Sequence, residues 1–210
     1  MRRAANAGRR RRRRQGCITG IFKFIIFIAV VIGLGFFLAR TYLESDLATK
    51  IQKTLYPIKY EYFVEEYSQE YDVDKYLVYS VIRTESRYDR YAVSSAGAKG
   101  LMQLTDETGE HCAKRLKIEN YTNDALFDPE TNIKLGCYYL SVLIDKYEDT
   151  NTALAAYNGG PGNVDSWLND KNYTDEAGSL INIPFKETKN YVVRVREAQN
   201  MYKSIYDNIE

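Results

Sequence analysis

The sequence predicts an all-α protein: one compact helical domain behind a single N-terminal membrane span. Three observations carry that prediction. An apolar run fills residues 18–39, apolar residues recur at helical spacing through most of 60–206, and strand-like alternation is absent over any useful length. The 210 residues hold one globular domain plus an anchor, with no internal repeat.

The N-terminal part comes first. The chain's net charge of +1 conceals an asymmetry, because residues 1–40 carry ten Lys or Arg and no acid. The other 19 basic residues stand against all 28 acids in 41–210, a net charge of −9. Residues 18–39 contain one charge, Lys23, near the basic end where its side chain can snorkel to the headgroups. As a helix the run is about 33 Å long, enough for a hydrocarbon core of roughly 30 Å. The arginine run 9–14 then sets the N-terminus in the cytoplasm and everything after Arg40 outside. An arginine run abutting a span is a topology signal, so no nucleic-acid partner is expected. A cleaved signal peptide fits less well, because no small-x-small site follows in 36–43. Cys17 precedes the apolar run and so does not read as a lipid-attachment site. The expected organisation is a cytoplasmic tail at 1–17, an anchor at 18–39, a stalk at 40–58 and a catalytic domain at 59–210.

Downstream, the stalk reads as helical until Pro57. Tyr60, Phe63, Val64 and Tyr67 recur at i, i+3, i+4 and i+7, one face of a helix. Asp74 is placed to cap a second helix whose buried stripe is Leu77, Val78, Val81 and Ile82. Asp128-Pro129-Glu130 is a strong helix start, and that helix should run to about Tyr147. Another covers 152–157 and stops at Gly159-Gly160, with a restart possible at Pro161. The last spans about 188–206. Nineteen tyrosines suit a core whose rings are buried and whose hydroxyls stay wet.

Glu85 is the residue that suggests chemistry. It follows Val78, Val81 and Ile82 at i+7, i+4 and i+3, so it projects from the apolar face of its helix. It also occupies the last turn, where unsatisfied carbonyls favour a neutral acid over a carboxylate. Partial burial pushes the same way, towards a carboxylic acid able to donate a proton near neutral pH. Position alone leaves open an ordinary helix-end Glu paired with Arg83 or Arg87. His111 is the sole histidine, so a histidine-built zinc site or a His-activated nucleophile has almost no material, and no metal is expected. Three cysteines are too few for a disulfide scaffold.

From Glu85-Ser86-Arg87-Tyr88 onwards the chain resembles the catalytic domain of the soluble lytic transglycosylases, which has the goose-type lysozyme fold. The resemblance continues through Ala92-Val93-Ser94, through Gly97-Ala98-Lys99-Gly100-Leu101-Met102-Gln103-Leu104, and through Asp128-Pro129-Glu130-Thr131-Asn132-Ile133 with Gly136 and Tyr139-Leu140. It closes with Ala155-Ala156-Tyr157-Asn158-Gly159-Gly160-Pro161-Gly162, then Glu187-Thr188 and Tyr191-Val192. These blocks keep the family's order over about 67–206. The family has Pro where this chain has Asp106, which puts in doubt only the local helix start.

The resemblance implies roles position by position. Glu85 matches the catalytic acid and Ser94 a groove serine near it. Met102 and Gln103 match a sugar-contacting pair, Tyr157 a tyrosine whose hydroxyl reaches the catalytic carboxyl, and Asn158 its polar neighbour. Tyr191 matches an aromatic that closes the site. The implied reaction is non-hydrolytic cleavage of the bond joining N-acetylmuramic acid to N-acetylglucosamine in peptidoglycan glycan strands, leaving 1,6-anhydromuramyl ends. One Glu serves as acid and then base, with no cofactor. A hydrolytic muramidase on the same fold and a catalytically idle glycan-binding scaffold are the alternatives. Asp89, Asp106 and Glu107, the acids nearest in sequence, match no catalytic position and read as loop residues or caps. The family fold also sets Cys112 and Cys137 on two helices of one lobe, where they either form a disulfide or pack as two separate small core residues.

Overall fold

The computed structural model describes the backbone of residues 2–207 and the side chains of residues 27, 28 and 30–207. In order the elements are α1 (Arg2–Leu55), α2 (Glu61–Glu70), α3 (Lys75–Glu85), α4 (Asp106–Arg115), a 3-10 helix (Asn123–Phe127), α5 (Pro129–Tyr147), α6 (Thr150–Gly159), α7 (Pro161–Leu168) and α8 (Lys186–Tyr206). Pairing of the β kind, among the described residues, is limited to isolated bridges such as Val93 with Lys99 and Thr174 with Leu180.

The chain divides into two compact units, Met1–Gln52 and Lys53–Glu210. In the first, Phe27, Val30, Ile32, Phe36 and Phe37 leave most of their surface exposed. Ion pairs one helical turn apart follow, Arg40 with Glu44 at 2.9 Å and Lys50 with Asp46 at 2.8 Å. Among the described residues no helix is long and apolar enough to cross a membrane. The expected span at 18–39 lies partly outside them, since the side chains of 18–26 and 29 are not described, and the expected tail at 1–17 lies there too.

The second unit begins at Lys53, so residues 53–58, expected in the stalk, belong with the helical domain. Tyr202 donates to the Pro57 carbonyl at 3.2 Å and Tyr206 to the Tyr56 carbonyl at 2.8 Å. The larger core lies among α2, α3, α5, α6 and α8, where Val64, Val78, Val81, Ile82, Ile133, Leu140, Leu154 and Val195 are sealed from solvent. A smaller core of Leu104, Cys112, Ala113, Leu126 and Leu135 joins α4 and the 3-10 helix to α5. Helix α5 serves both cores from opposite faces. Leu135 and Cys137 are two residues apart, roughly 200° around the helix axis, and they point into different clusters.

That geometry agrees with the second of the two readings of the cysteines, as separate small core residues. Cys112 and Cys137 are both free and buried. Cys112 packs with Leu135 in the smaller core, while Cys137 faces the larger one. Burial pushes the Cys112 thiol up to about 12, so it packs as an apolar side chain rather than a reactive thiolate.

Where helix starts follow local chemistry they fall as expected. Asp74 Oδ1 accepts from the Tyr76 N–H at 2.8 Å, and Asp128 Oδ2 accepts from the Thr131 N–H at 3.0 Å. Asp106 opens α4 behind the Thr105 cap and pairs with Lys99 at 2.7 Å, so the helix starts well without the family's Pro. The segment 117–126 is organised by the 3-10 helix and one side chain. Asn132, fully buried on α5, accepts from the Met102 N–H at 2.7 Å. It also donates to the carbonyls of Leu126 at 2.8 Å and Lys99 at 3.0 Å. Gly100, at φ 77°, lies against this knot, and a Cβ there would run into the Leu126 carbonyl and the Asn132 amide.

Asn132→Ala should therefore cost about 3 kcal/mol, because it strands three buried backbone groups at once. Urea denaturation of the full chain measures this, and an unchanged midpoint would remove Asn132 from the role of organiser.

Candidate active site

Glu85 is the last residue of α3, and that helix is pinned at both ends. At its start, Asp74 Oδ2 takes the Gln199 amide at 3.0 Å and the Lys203 ammonium at 2.5 Å, both from α8. At its end the chain turns sharply through two left-handed residues, Arg87 at φ 53° and Tyr88 at φ 67°. Such conformations cost on the order of 1 kcal/mol each outside glycine, and the surroundings hold them in place. Ser86 Oγ donates to the Ile82 carbonyl at 3.1 Å and accepts from the Tyr88 N–H at 3.1 Å. The Tyr88 ring is buried, and its hydroxyl meets that of Tyr202 on α8 at 2.5 Å. Left-handed backbone after α3 stops the helix at Glu85, and the buried ring fixes the direction in which the chain leaves.

The Glu85 side chain keeps part of its surface open while protein surrounds most of it. Burial pushes its carboxyl up from the ordinary 4.5 to about 7. A contact with the Tyr191 hydroxyl and the charge of Arg194 pull the other way, and the charge of Glu187 adds to the upward push. Glu187, Tyr191 and Arg194 stand at i, i+4 and i+7 on α8, so one helix face supplies all three influences. The Tyr191 hydroxyl is buried and closes no hydrogen bond of ordinary length and angle, so its approach to Glu85 is a near contact. Burial first, then the charge of Glu85, raises the phenols of Tyr157 and Tyr191 well above their usual range. Both remain protonated donors at any physiological pH.

The other expected site residues divide. Tyr157 lies close enough to feel the charge of Glu85, but its hydroxyl donates to the Met102 carbonyl at 2.8 Å. The hydroxyl in contact with the carboxyl is that of Tyr191, so Tyr191 takes the part expected of Tyr157. Met102 is corrected as well. Its side chain is fully buried, with its sulfur against the α carbon of Gly136, so it contributes a carbonyl to the site and no sugar-facing surface. Gln103 is half-buried at φ 49°, and its Nε2 donates to the carbonyls of Gly100 at 2.9 Å and Ala92 at 3.0 Å. Those bonds fix the amide, and among the described residues its Oε1 has no hydrogen-bond partner. Ser94 is exposed, and its Oγ accepts from the Ala98 N–H at 3.1 Å to close a turn. Asn158 is half-buried in the last turn of α6. Of the acids set aside, Asp89 accepts from the Tyr91 N–H at 2.9 Å, as a turn residue does. Arg194 and Glu187 were missed as neighbours of Glu85. Their spacing from Tyr191 on one helix was the available signal.

A helical domain that buries one carboxyl at a helix end, against tyrosines that stay protonated, is equipped for proton transfer by a single acid. The chain belongs to the family described as the transglycosylase SLT domain, whose profile matches residues 62–179. The soluble lytic murein transglycosylase of Salmonella typhimurium is 33% identical over 166 residues, covering 76% of this chain and 26% of that protein. The membrane-bound lytic murein transglycosylase C of Shigella sonnei is 32% identical over 170 residues, 69% of this chain and 46% of that one. An inactive Glu-to-Gln mutant of the lytic transglycosylase Slt from Pseudomonas aeruginosa has a similar structure, with a TM-score of 0.64 at 29% identity over 71% of this chain and 24% of that one. The fold is thus lysozyme-like, and the chain spans about a quarter of the length of the soluble relatives it matches.

The raised carboxyl also links to stability. Well below pH 4.5 it is protonated in both the folded and the unfolded chain and costs nothing. Between 4.5 and about 7 the unfolded chain releases its proton first, so stability falls as pH rises through that window. The loss is on the order of 3 kcal/mol once the folded carboxyl ionises. Glu85→Gln should accordingly melt above the wild type at about pH 8 and together with it at about pH 4. Equal melting at both would mean that Glu85 ionises as easily inside as outside.

Proposed function

We propose that this chain is a membrane-anchored lytic transglycosylase that cleaves the β-1,4 bond between N-acetylmuramic acid and N-acetylglucosamine in peptidoglycan. The observation that carries the reading is the mostly buried Glu85 carboxyl at the end of α3, which burial pushes up to about 7. In the first step Glu85 gives its proton to the glycosidic oxygen while the bond from that oxygen to the muramyl C1 breaks. In the second step the Glu85 carboxylate takes the proton of the muramyl C6 hydroxyl as that oxygen bonds to C1. Glu85 ends protonated, no water is consumed, and the product is a 1,6-anhydro ring. Tyr191 donates towards the carboxylate between the steps, Tyr157 braces the loop that carries Gln103, and Gln103 presents its Oε1 to the sugar. Ser94 and Asn158 complete the rim of the groove. The relatives' names and the inactivity of the Pseudomonas Glu-to-Gln mutant support this assignment.

Glycosidases that use water pair two carboxyl groups across the bond. Glu187 is the acid whose charge reaches Glu85, and it is exposed. Glu85→Gln should abolish release of muropeptides, while Glu187→Gln keeps it. Mass spectrometry of the wild-type products should show anhydro ends, lighter by one water than reducing ends. Reducing ends that vanish with Glu187→Gln would establish hydrolysis instead.

Anchoring rests on the apolar run 18–39, the arginines before it and the exposed apolar side chains at the described end of that run. Residues 1–17 are then cytoplasmic, 18–39 span the bilayer and the SLT domain faces the wall. Protease added outside protoplasts should digest the chain beyond Arg40 and spare the arginine-rich tail. Digestion of the tail would reject this orientation.

A further inference from the structure

Helix α1 does not end with the apolar run at residue 39 but continues to Leu55. At about 100° per residue, Phe36, Ala39, Leu43, Leu47 and Ile51 fall on one face of it. Phe36, Ala39, Leu43 and Leu47 line an apolar furrow there, with Arg40 and Glu44 along its edge. Among the described residues nothing covers this face, since Leu43, Leu47 and Ile51 leave 65%, 59% and 51% of their surface exposed. On the membrane-anchored reading, lipid does not cover all of it either. Leu47 and Ile51 lie about 12 and 18 Å past the end of the span, and a head-group layer is roughly 5–8 Å deep. Single exposed apolar residues are ordinary, but a row of them at helical spacing in water marks a contact surface. The flanks of the row are charged and balanced. Arg40 pairs with Glu44 on one side, and Lys50 with Asp46 on the other. One turn before Phe36, Gly33 has open space where a Cβ would stand, so no packing among the described residues calls for it. A second helix at close approach does.

We infer that this face meets the same face of a second copy of the chain, so that two α1 helices form a parallel stem outside the bilayer; the inference rests on the membrane-anchored reading. Anchoring identifies the occupant. Two copies that cross one bilayer in one orientation emerge parallel, with Leu43, Leu47 and Ile51 of each at matching heights. A two-fold axis along the stem then sets each apolar residue against its counterpart, a self-complementary contact. Spacings of three and four residues from Phe36 to Ile51 keep the row near that axis as the helices wind about each other. Because each flank is neutralised within its own chain, two copies approach without net repulsion. Confinement to one membrane raises their effective concentration, so a row of this length is enough.

The test uses the full-length protein in membranes, with Cys17→Ser as background and Leu43→Cys, Leu47→Cys or Ser45→Cys added singly. Cys112 and Cys137 are buried and contribute little reaction. A short bis-maleimide should link Leu43→Cys and Leu47→Cys chains into a species of twice the chain mass. Ser45 lies on the opposite side of the helix, so its yield should be about tenfold lower. Adding Ile51→Glu to the Leu43→Cys chain should cut the yield about tenfold, because it sets a charge in the apolar contact. The melting point of the helical domain should not move. Equal yields at the three positions, no linked species, or a product of some other mass would overturn the inference. If the chain also resists alkaline carbonate extraction, the anchored reading survives that result. Extraction of the chain by carbonate would overturn both.

Discussion

One carboxyl must sit among protein atoms, keep its proton near neutral pH and still be reachable from outside. The rest of the helical domain serves that requirement. Desolvation of Glu85 works against stability, so the helix that carries it is fastened to α8 at two places far apart in sequence. Asp74 receives Gln199 and Lys203 at one end, and Tyr88 meets Tyr202 at the other. A looser helix would let water reach the carboxyl and return it to ordinary acidity. The left-handed pair Arg87 and Tyr88 belongs to the same bargain, since strain there stops the helix where the acid is needed.

The second requirement is a partner surface that tunes the acid without ionising it. Helix α8 supplies it through three side chains of different character on one face. Tyr191 and Arg194 ease the carboxylate form and Glu187 opposes it, while burial outweighs all three. On the proposed function, that balance suits a group that donates a proton and then recovers it. The loop of residues 92–104 is held by different means. It rests on Asn132 from α5 and on the Tyr157 hydroxyl from α6, while bonds to the loop's own carbonyls at Ala92 and Gly100 set the Gln103 amide.

What the sequence made legible was the chemistry local to an element. Asp74, Asp128-Pro129 and Gly159-Gly160 mark helix ends through caps and backbone preferences, and the structure places α3, α5 and α6 there. Glu85 stood out for the same reason, because a charged residue on an apolar helix face is visible in the spacing alone. What stayed illegible depends on contacts between distant segments. The order of segment 117–126 comes from Asn132, outside that stretch. Cys112 and Cys137 looked able to pair because their helices are neighbours, yet α5 turns them into separate cores. The bond of Tyr157 to the Met102 carbonyl instead of to Glu85, and the burial of Met102, follow from helix packing that no local pattern encodes.

The account rests on the protonation state of one group in the resting protein. The most direct measurement is a carbon-13 NMR titration of the side-chain carboxyl carbons, with Glu85→Gln used to assign the Glu85 signal. The account predicts that this signal titrates near pH 7, apart from the other glutamates. A Glu85 signal that titrates with the rest, near the ordinary value of 4.5, would contradict it.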